Sequence, residues 1–218
     1  MNPELLRDTS AVKMSTGDTV TRQMRPMLEA DQALSFYQRY ILLPVREKDV
    51  IRQFYGFTGG ALVSPNDWEL FAAILISARR AEGRYGHDLS AAEVKSAKTP
   101  GSFEYQYHLN TGLAKLEGDL RIDHLFISYS ADYETVSVRV VIADALRGYF
   151  ESWRPHLLAN YASRTQSVNE GKQRFRRSIP YGVVHSQGRL ILSIEHGELV
   201  SVDPAPLEEI FPNRQRAG

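Results

Sequence analysis

"YGHDLSAAEVKSAKTPG" occupies residues 85–101 and decides how the chain is read. Asp88 stands five residues before Glu93, and Lys95 follows with only Val94 between. In "AAEVKSA" every other residue is small or apolar, the composition of a strand with one buried side. Residues two apart on a strand share a face, so Glu93 and Lys95 point the same way. Asp88 and Glu93, an odd number apart, would point to opposite faces of one straight strand. Their convergence therefore demands a tight turn or bulge around Ser90-Ala91, and the stretch reads as two short strands.

The triplet alone means little: with 26 acids and six lysines in 218 residues, about 0.7 acid-x-Lys matches are expected by chance. A second one, Glu170-Gly171-Lys172, lies in the polar run "SVNEGKQRF" with no strand around it. Context separates the two. Two carboxylates meeting at a strand end suit Mg²⁺, a hard cation taking carboxylate oxygens and keeping several waters. A lysine beside such a cation can orient or deprotonate a water and stabilise charge on a phosphate. The plain alternative is a surface strand carrying a Glu–Lys pair.

Upstream, "DQALSFYQRYILLPVREKDVIRQFYGF" predicts a helix from Asp31 to about Leu43, interrupted by Pro44, with a short second helix over 46–55. "DWELFAAILISARRAEGRYG" is the clearest helix. Trp68, Phe71, Ala72, Leu75, Ile76 and Ala78 recur at helical spacing; Ser64 or Asn66 can cap it, and Gly83 or Gly86 is expected to end it. Downstream, "GSFEYQYHLNTGLAKLEGDL" reads as a loop and a helix, and "IDHLFISYS" and "ETVSVRVVIAD" as strands. "ADALRGYFESWRPHLLANYA" reads as a helix broken at Pro155. "SIPYGVVHSQGRLILSIEHGELVSV" reads as a β-meander turning at Gln187-Gly188 and His196-Gly197. One α/β domain is expected over 1–218, with an N-terminal arm over 1–30 and helix–strand–strand–helix–strand order in its middle.

Composition narrows the classes. There is no cysteine, which excludes disulfides and thiolate–metal sites. No stretch approaches the roughly 18 uncharged apolar residues of a membrane span, and the N-terminus has no apolar run fit for a signal peptide, so a cytoplasmic protein is expected. Net charge is zero, 26 against 26, yet residues 139–189 hold nine Lys/Arg and three acids. Twenty of the 26 cations are arginine, the residue that grips phosphates and guanine edges bidentately. His124, His156, His185 and His196 show no metal-ligand spacing.

A helix, an Asp, a hairpin, Glu-x-Lys on a central strand and a following helix together resemble the PD-(D/E)XK nuclease superfamily. "GHDLSAAEVKSA" is similar to the motif core of type II restriction endonucleases and related repair nucleases, with His87 where many members have proline. The resemblance covers about residues 66–147. It implies a restriction-endonuclease-like α/β core, a mixed central β-sheet flanked by helices, with a C-terminal β-meander over 172–203 left for DNA contact. It also implies that Asp88 and Glu93 bind Mg²⁺ and that Lys95 activates water. The helix before the motif often supplies a further acid; Glu69 matches that element, with Glu82 as rival.

On that reading the expected partner is double-stranded DNA, bound by a homodimer, since one site per chain needs two copies to cut both strands. In "TPGSFEYQYHLN", Gln106 and Asn110 are candidates for base edges, and Tyr107 and His108 for phosphates. In "GKQRFRRSIPYG", Lys172, Arg174, Arg176 and Arg177 put four cations within six residues, a pattern for phosphate clamping or guanine readout. The function expected is a sequence-specific endodeoxyribonuclease. The alternatives are a repair, junction or modified-base-dependent nuclease of the same superfamily, or a non-catalytic DNA-binding protein.

Overall fold

A computed structural model of the chain describes residues 29–58, 60–82, 87–108, 110–166 and 174–211. Helix α1 covers 29–54, and Pro44 does not interrupt it. A proline removes one hydrogen bond of the helical ladder and crowds the carbonyl four residues back. Here the six residues Tyr37–Leu42 form a π-helical turn, and Pro44 falls in the first turn of the α-helical segment Leu43–Phe54. The ladder changes register just where proline would break it.

Helix α2 (Pro65–Ile76) starts at a capping box: Ser64 Oγ accepts from the Asp67 N–H and Asp67 Oδ2 accepts from the Ser64 N–H. It ends before the glycines expected to stop it, which lie outside the described residues. Ser77 takes a left-handed conformation (φ 51°) and closes the last turn through Ala73 and Ile74. Of the stripe read from the sequence, Trp68, Phe71, Ala72, Leu75 and Ile76 are buried, whereas Ala78 lies past the end of the helix and is partly buried.

The fold is mixed α/β. Strands β1 (Ala92–Lys98), β3 (Asp123–Tyr129), β4 (Val136–Val141), β6 (Arg189–Glu195) and β7 (Glu198–Val202) make one sheet in the order β1-β3-β4-β6-β7. β1 runs parallel to β3 and the other pairs are antiparallel. β2 (Phe103–His108) pairs instead with β5 (Arg174–Ile179) in a separate antiparallel ribbon. Helix α3 (Gly112–Asp119) follows β2, and helix α4 (Ala143–Gln166) follows β4.

Alternation along the strands divides the core between the two sheet faces. Leu125 and Ile127 of β3, with Val136, Val138 and Val140 of β4, pack with α1 and α2. Phe126 and Val141 point the other way, into a cluster with α4 and the apolar side of the ribbon.

The expected middle order holds, but its strands are displaced. The described part of that stretch, residues 87–101, contributes one strand, not two, and "FEYQYH", read as loop, is β2. β1 lies at the edge of the five-stranded sheet, not at its centre. α4 runs through Pro155 without a break. The C-terminal meander is interrupted by a short helix, α5 (Tyr181–Gln187), capped by Pro180; the hairpin at His196-Gly197 forms as read. The last element is helix α6 (Pro204–Ile210).

Candidate active site

The turn required between Asp88 and Glu93 exists and needs no glycine. Residues 87–91 carry no positive φ. The Leu89 N–H donates to Ala92 O at 3.0 Å, the Ser90 N–H donates to Arg79 O at 2.9 Å, and Leu89 bridges Arg80. This fold-back aims both carboxylates at one place. Asp88 Oδ2 accepts from the Val94 N–H at 3.0 Å, while the Asp88 N–H donates to Glu93 Oε2 at 3.2 Å. The first bond also occupies a main-chain donor of an edge strand, a group that otherwise invites pairing with another chain.

Lys95 sits where both acids converge: its Nζ is 2.5 Å from Glu93 Oε1 and 3.5 Å from Asp88 Oδ2. Nζ also donates to Val94 O at 3.1 Å and lies 5.1 Å from the centre of the Tyr105 ring. Glu69, reaching in from α2, responds to the same charges. Burial first, and then the Asp88 carboxylate, push its carboxyl above the ordinary value. Glu82, its rival, is exposed.

Three further side chains complete the cluster, and sequence reasoning did not find them as a group. Lys115 of α3 donates to Glu93 Oε1 at 2.7 Å and stands 3.6 Å from Asp119 Oδ1, one helical turn on. Asp119 is fully buried, and its Oδ2 accepts from the Tyr107 hydroxyl at 2.9 Å. His87 Nδ1 lies 3.8 Å from Glu93 Oε2 and 3.8 Å from Asp119 Oδ1, too far for hydrogen bonds. Lys115 and Asp119 carry a signal in the sequence, an acid four residues after a lysine on a helix, but that is also how ordinary surface pairs look.

Opposite shifts on neighbouring acids define the electrostatics. Burial works against ionising Glu93, yet the Lys95 ammonium, then Lys115, hold its carboxyl well below the usual range. Asp119, with Lys115 at longer range and Glu93 opposing, is pushed up to about 6, mainly by burial. Burial alone would lower the Lys95 amine, but Glu93 and then Asp88 outweigh it and raise it above its ordinary value. Lys95 is therefore an ammonium at neutral pH. Behind it the buried His124 donates from Nε2 to the main-chain Asp119 O and accepts at Nδ1 from the Tyr105 hydroxyl, both at 2.9 Å. Burial lowers it to about 4, so it stays neutral.

The residues expected to touch DNA divide by face. On the β2–β5 ribbon, Gln106 stands opposite Arg176 and His108 opposite Arg174. His108, Arg174 and Arg176 are exposed and Gln106 is partly so, held by Glu104 at 2.6 Å. Arg176 lies 3.6 Å from the same Glu104. Tyr107 alternates to the opposite side, is fully buried and is spent on Asp119; a groove contact for it is ruled out in this conformation. Arg177 shares that inner side, its guanidinium 4.3 Å from the Phe175 ring centre. Asn110 is exposed just before α3, and Lys172 lies outside the described residues.

Compared with protein-family models and with curated proteins, the chain matches none.

Proposed function

We propose that this protein is a Mg²⁺-dependent endodeoxyribonuclease with a restriction-endonuclease-like core, hydrolysing duplex DNA at a specific sequence as a homodimer. The observation that carries the reading is the convergence of Asp88, Glu93 and Lys95 despite only four residues between the acids, with the amine 2.5 and 3.5 Å from the two carboxylates. Hard oxygens from two carboxylates, their charge now offset by ammonium groups, fit Mg²⁺ by donor chemistry. Mg²⁺ bound by Asp88 and Glu93 would neutralise charge at the scissile phosphodiester and acidify a water.

The chain's own groups divide the remaining work. Lys95, held protonated by its neighbours, donates to a phosphate oxygen as negative charge grows there; it orients and stabilises rather than abstracting a proton. Glu69, whose carboxyl is raised above its ordinary value by burial and then by the Asp88 carboxylate, is the candidate to take up a proton. The exposed ribbon face presents Gln106, His108, Arg174 and Arg176 together. A two-stranded ribbon fits the major groove, where glutamine matches adenine and arginine matches guanine.

The dimer has a surface to use. Tyr40, Leu43, Val50, Ile51, Phe54 and Phe57 project from α1 and the turn after it, Phe54 being 82% exposed. Between them stand charges of both signs, Glu47, Lys48, Asp49 and Arg52, a composition able to complement a second copy of itself.

A second reading has one observation behind it. Glu93 is completely buried and already satisfied by two ammonium groups, so the cluster could be a structural stitch in a non-catalytic DNA-binding protein. Plasmid digestion in Mg²⁺ and in EDTA separates the two. Discrete fragments in Mg²⁺ alone support the restriction reading, nicks only at junctions or modified bases favour a repair or modification-dependent nuclease, and intact plasmid in both buffers sinks the catalytic readings.

A further inference from the structure

We propose that His87, Glu93 and Asp119 form a second cation site, suited to a divalent first-row transition ion such as Mn²⁺ and sharing Glu93 with the Asp88–Glu93 pair. One nitrogen of His87 and one oxygen each from Glu93 and Asp119 lie within 4.8 Å of one another. His87 Nδ1 is equidistant, at 3.8 Å, from Glu93 Oε2 and Asp119 Oδ1.

Two of these three atoms make no hydrogen bond, although Lys115 stands 3.6 Å from one of them, Asp119 Oδ1. His87 Nδ1 and Asp119 Oδ1 are both buried without a hydrogen-bond partner, and the side chains of Asp119 and Glu93 have no exposed surface. Buried polar atoms are nearly always paired, and leaving one unpaired is destabilising. Two such atoms facing a third ligand atom across a short gap are better explained by an occupant than by chance. The imidazole is deliberately seated: a Cβ on Gly118 would come within 2.8 Å of His87 Cε1. Glycine at that point of α3 lets the ring approach the helix this closely, with Nδ1 buried.

The donor set selects the ion. Carboxylates alone suit Mg²⁺, whereas an added imidazole moves preference toward Mn²⁺, Fe²⁺ or Zn²⁺. A first-row ion bound at about 2.1 Å holds cis or tetrahedral ligands roughly 3.0–3.4 Å apart, so the nitrogen must close by about half an ångström. The His87 side chain, 27% exposed, leaves a way in from solvent. Formal charge permits it: among the described residues, the cations at close range to Asp88, Glu93 and Asp119 are Lys95 and Lys115. Lys115, 3.6 Å from Asp119 Oδ1, is the group that opposes a cation. None of this requires phosphodiester chemistry, so the site stands whether or not the protein cleaves DNA.

The test uses the full chain, stripped with chelator and titrated with Mn²⁺ alone. Free Mn²⁺ is followed by electron paramagnetic resonance, and pulsed measurements on the bound ion look for coupling to an imidazole nitrogen. Bound Mn²⁺ should show that coupling. His87→Gln, a change at a partly exposed ring, should abolish the coupling and weaken binding by about tenfold or more, at least what losing an outer-sphere partner does. Lys115→Met should bind Mn²⁺ more tightly, and Asp88→Asn should keep the nitrogen signal. Bound Mn²⁺ without nitrogen coupling would assign the ion to Asp88–Glu93 and overturn the proposal. So would affinity unmoved by His87→Gln, or no binding up to millimolar Mn²⁺, which would leave the gap to a water molecule.

Discussion

Replacing Asp119 with asparagine should stabilise the metal-free protein at alkaline pH and do little in acid. Burial raises the Asp119 carboxyl from its ordinary 3.8 to about 6. Below both values the group is protonated in folded and unfolded chains alike, and contributes nothing that depends on pH. Between them the unfolded chain ionises while the folded one stays protonated, so stability falls as pH rises. A shift of about two pH units corresponds to about 3 kcal/mol, reached above about pH 7. Asparagine imitates the protonated acid, still accepts the Tyr107 hydroxyl and never ionises, so Asp119→Asn should recover most of that amount. Glu93→Gln should do the reverse. Glu93 is held well below its ordinary value, so its ionised form stabilises near neutrality and that contribution is lost as pH falls. Urea unfolding in EDTA at about pH 4 and about pH 8 measures both variants against wild type. Asp119→Asn destabilising at the higher pH would refute the reasoning, because it would mean that Lys115 stabilises the ionised Asp119 by more than burial penalises it.

Arg174 and Arg176, exposed on the ribbon, are expected to grip phosphates or bases. Changing both to alanine should weaken DNA binding and reduce its salt slope by about one unit for each phosphate no longer neutralised; an unchanged slope would return them to a solvated face. Arg177→Ala, by contrast, should cost stability, because its guanidinium no longer covers the Phe175 ring, and leave the slope nearly unaltered. Val50→Glu with Phe54→Glu should halve the mass seen by light scattering and turn double-strand cuts into nicks. Wild type that is monomeric at micromolar concentration would remove α1 as the dimer surface.

What was legible in the sequence had strong local causes. The spacing from Trp68 to Ile76 and the Ser64 cap specify α2, and β-branched alternation specifies β3 and β4. The Asp88, Glu93 and Lys95 motif could be read because its small, apolar setting separates it from the other Glu-x-Lys. β2 was missed although Phe103, Tyr105 and Tyr107 alternate with Glu104, Gln106 and His108: its partner, β5, is about seventy residues away, and flanking Gly and Pro suggested a loop. Pro44 and Pro155 misled because a π turn in one case, and a long packed helix in the other, absorb a residue that breaks isolated helices. Asp119 and His87 were not legible as members of the site: the Lys115–Asp119 spacing looks like an ordinary surface pair, and His87 stood only in the place of a proline. Their significance comes from burial against Glu93 and from unpaired atoms, and neither leaves a mark on residue order.

The central claim is that Lys95 belongs to a catalytic site and not to a structural ion pair. Lys95→Ala removes an amine 2.5 Å from Glu93, but Lys115 at 2.7 Å still offsets that carboxylate, so the fold should survive. The decisive measurement is single-turnover cleavage of substrate plasmid in Mg²⁺, paired with a gel shift in Ca²⁺, for wild type and Lys95→Ala. Wild type should cut. The variant should keep the DNA complex, since binding rests on the ribbon arginines, yet lose at least about a hundredfold in rate, the low end for a positioned charge-stabilising group. Cleavage by Lys95→Ala at the wild-type rate would contradict the account.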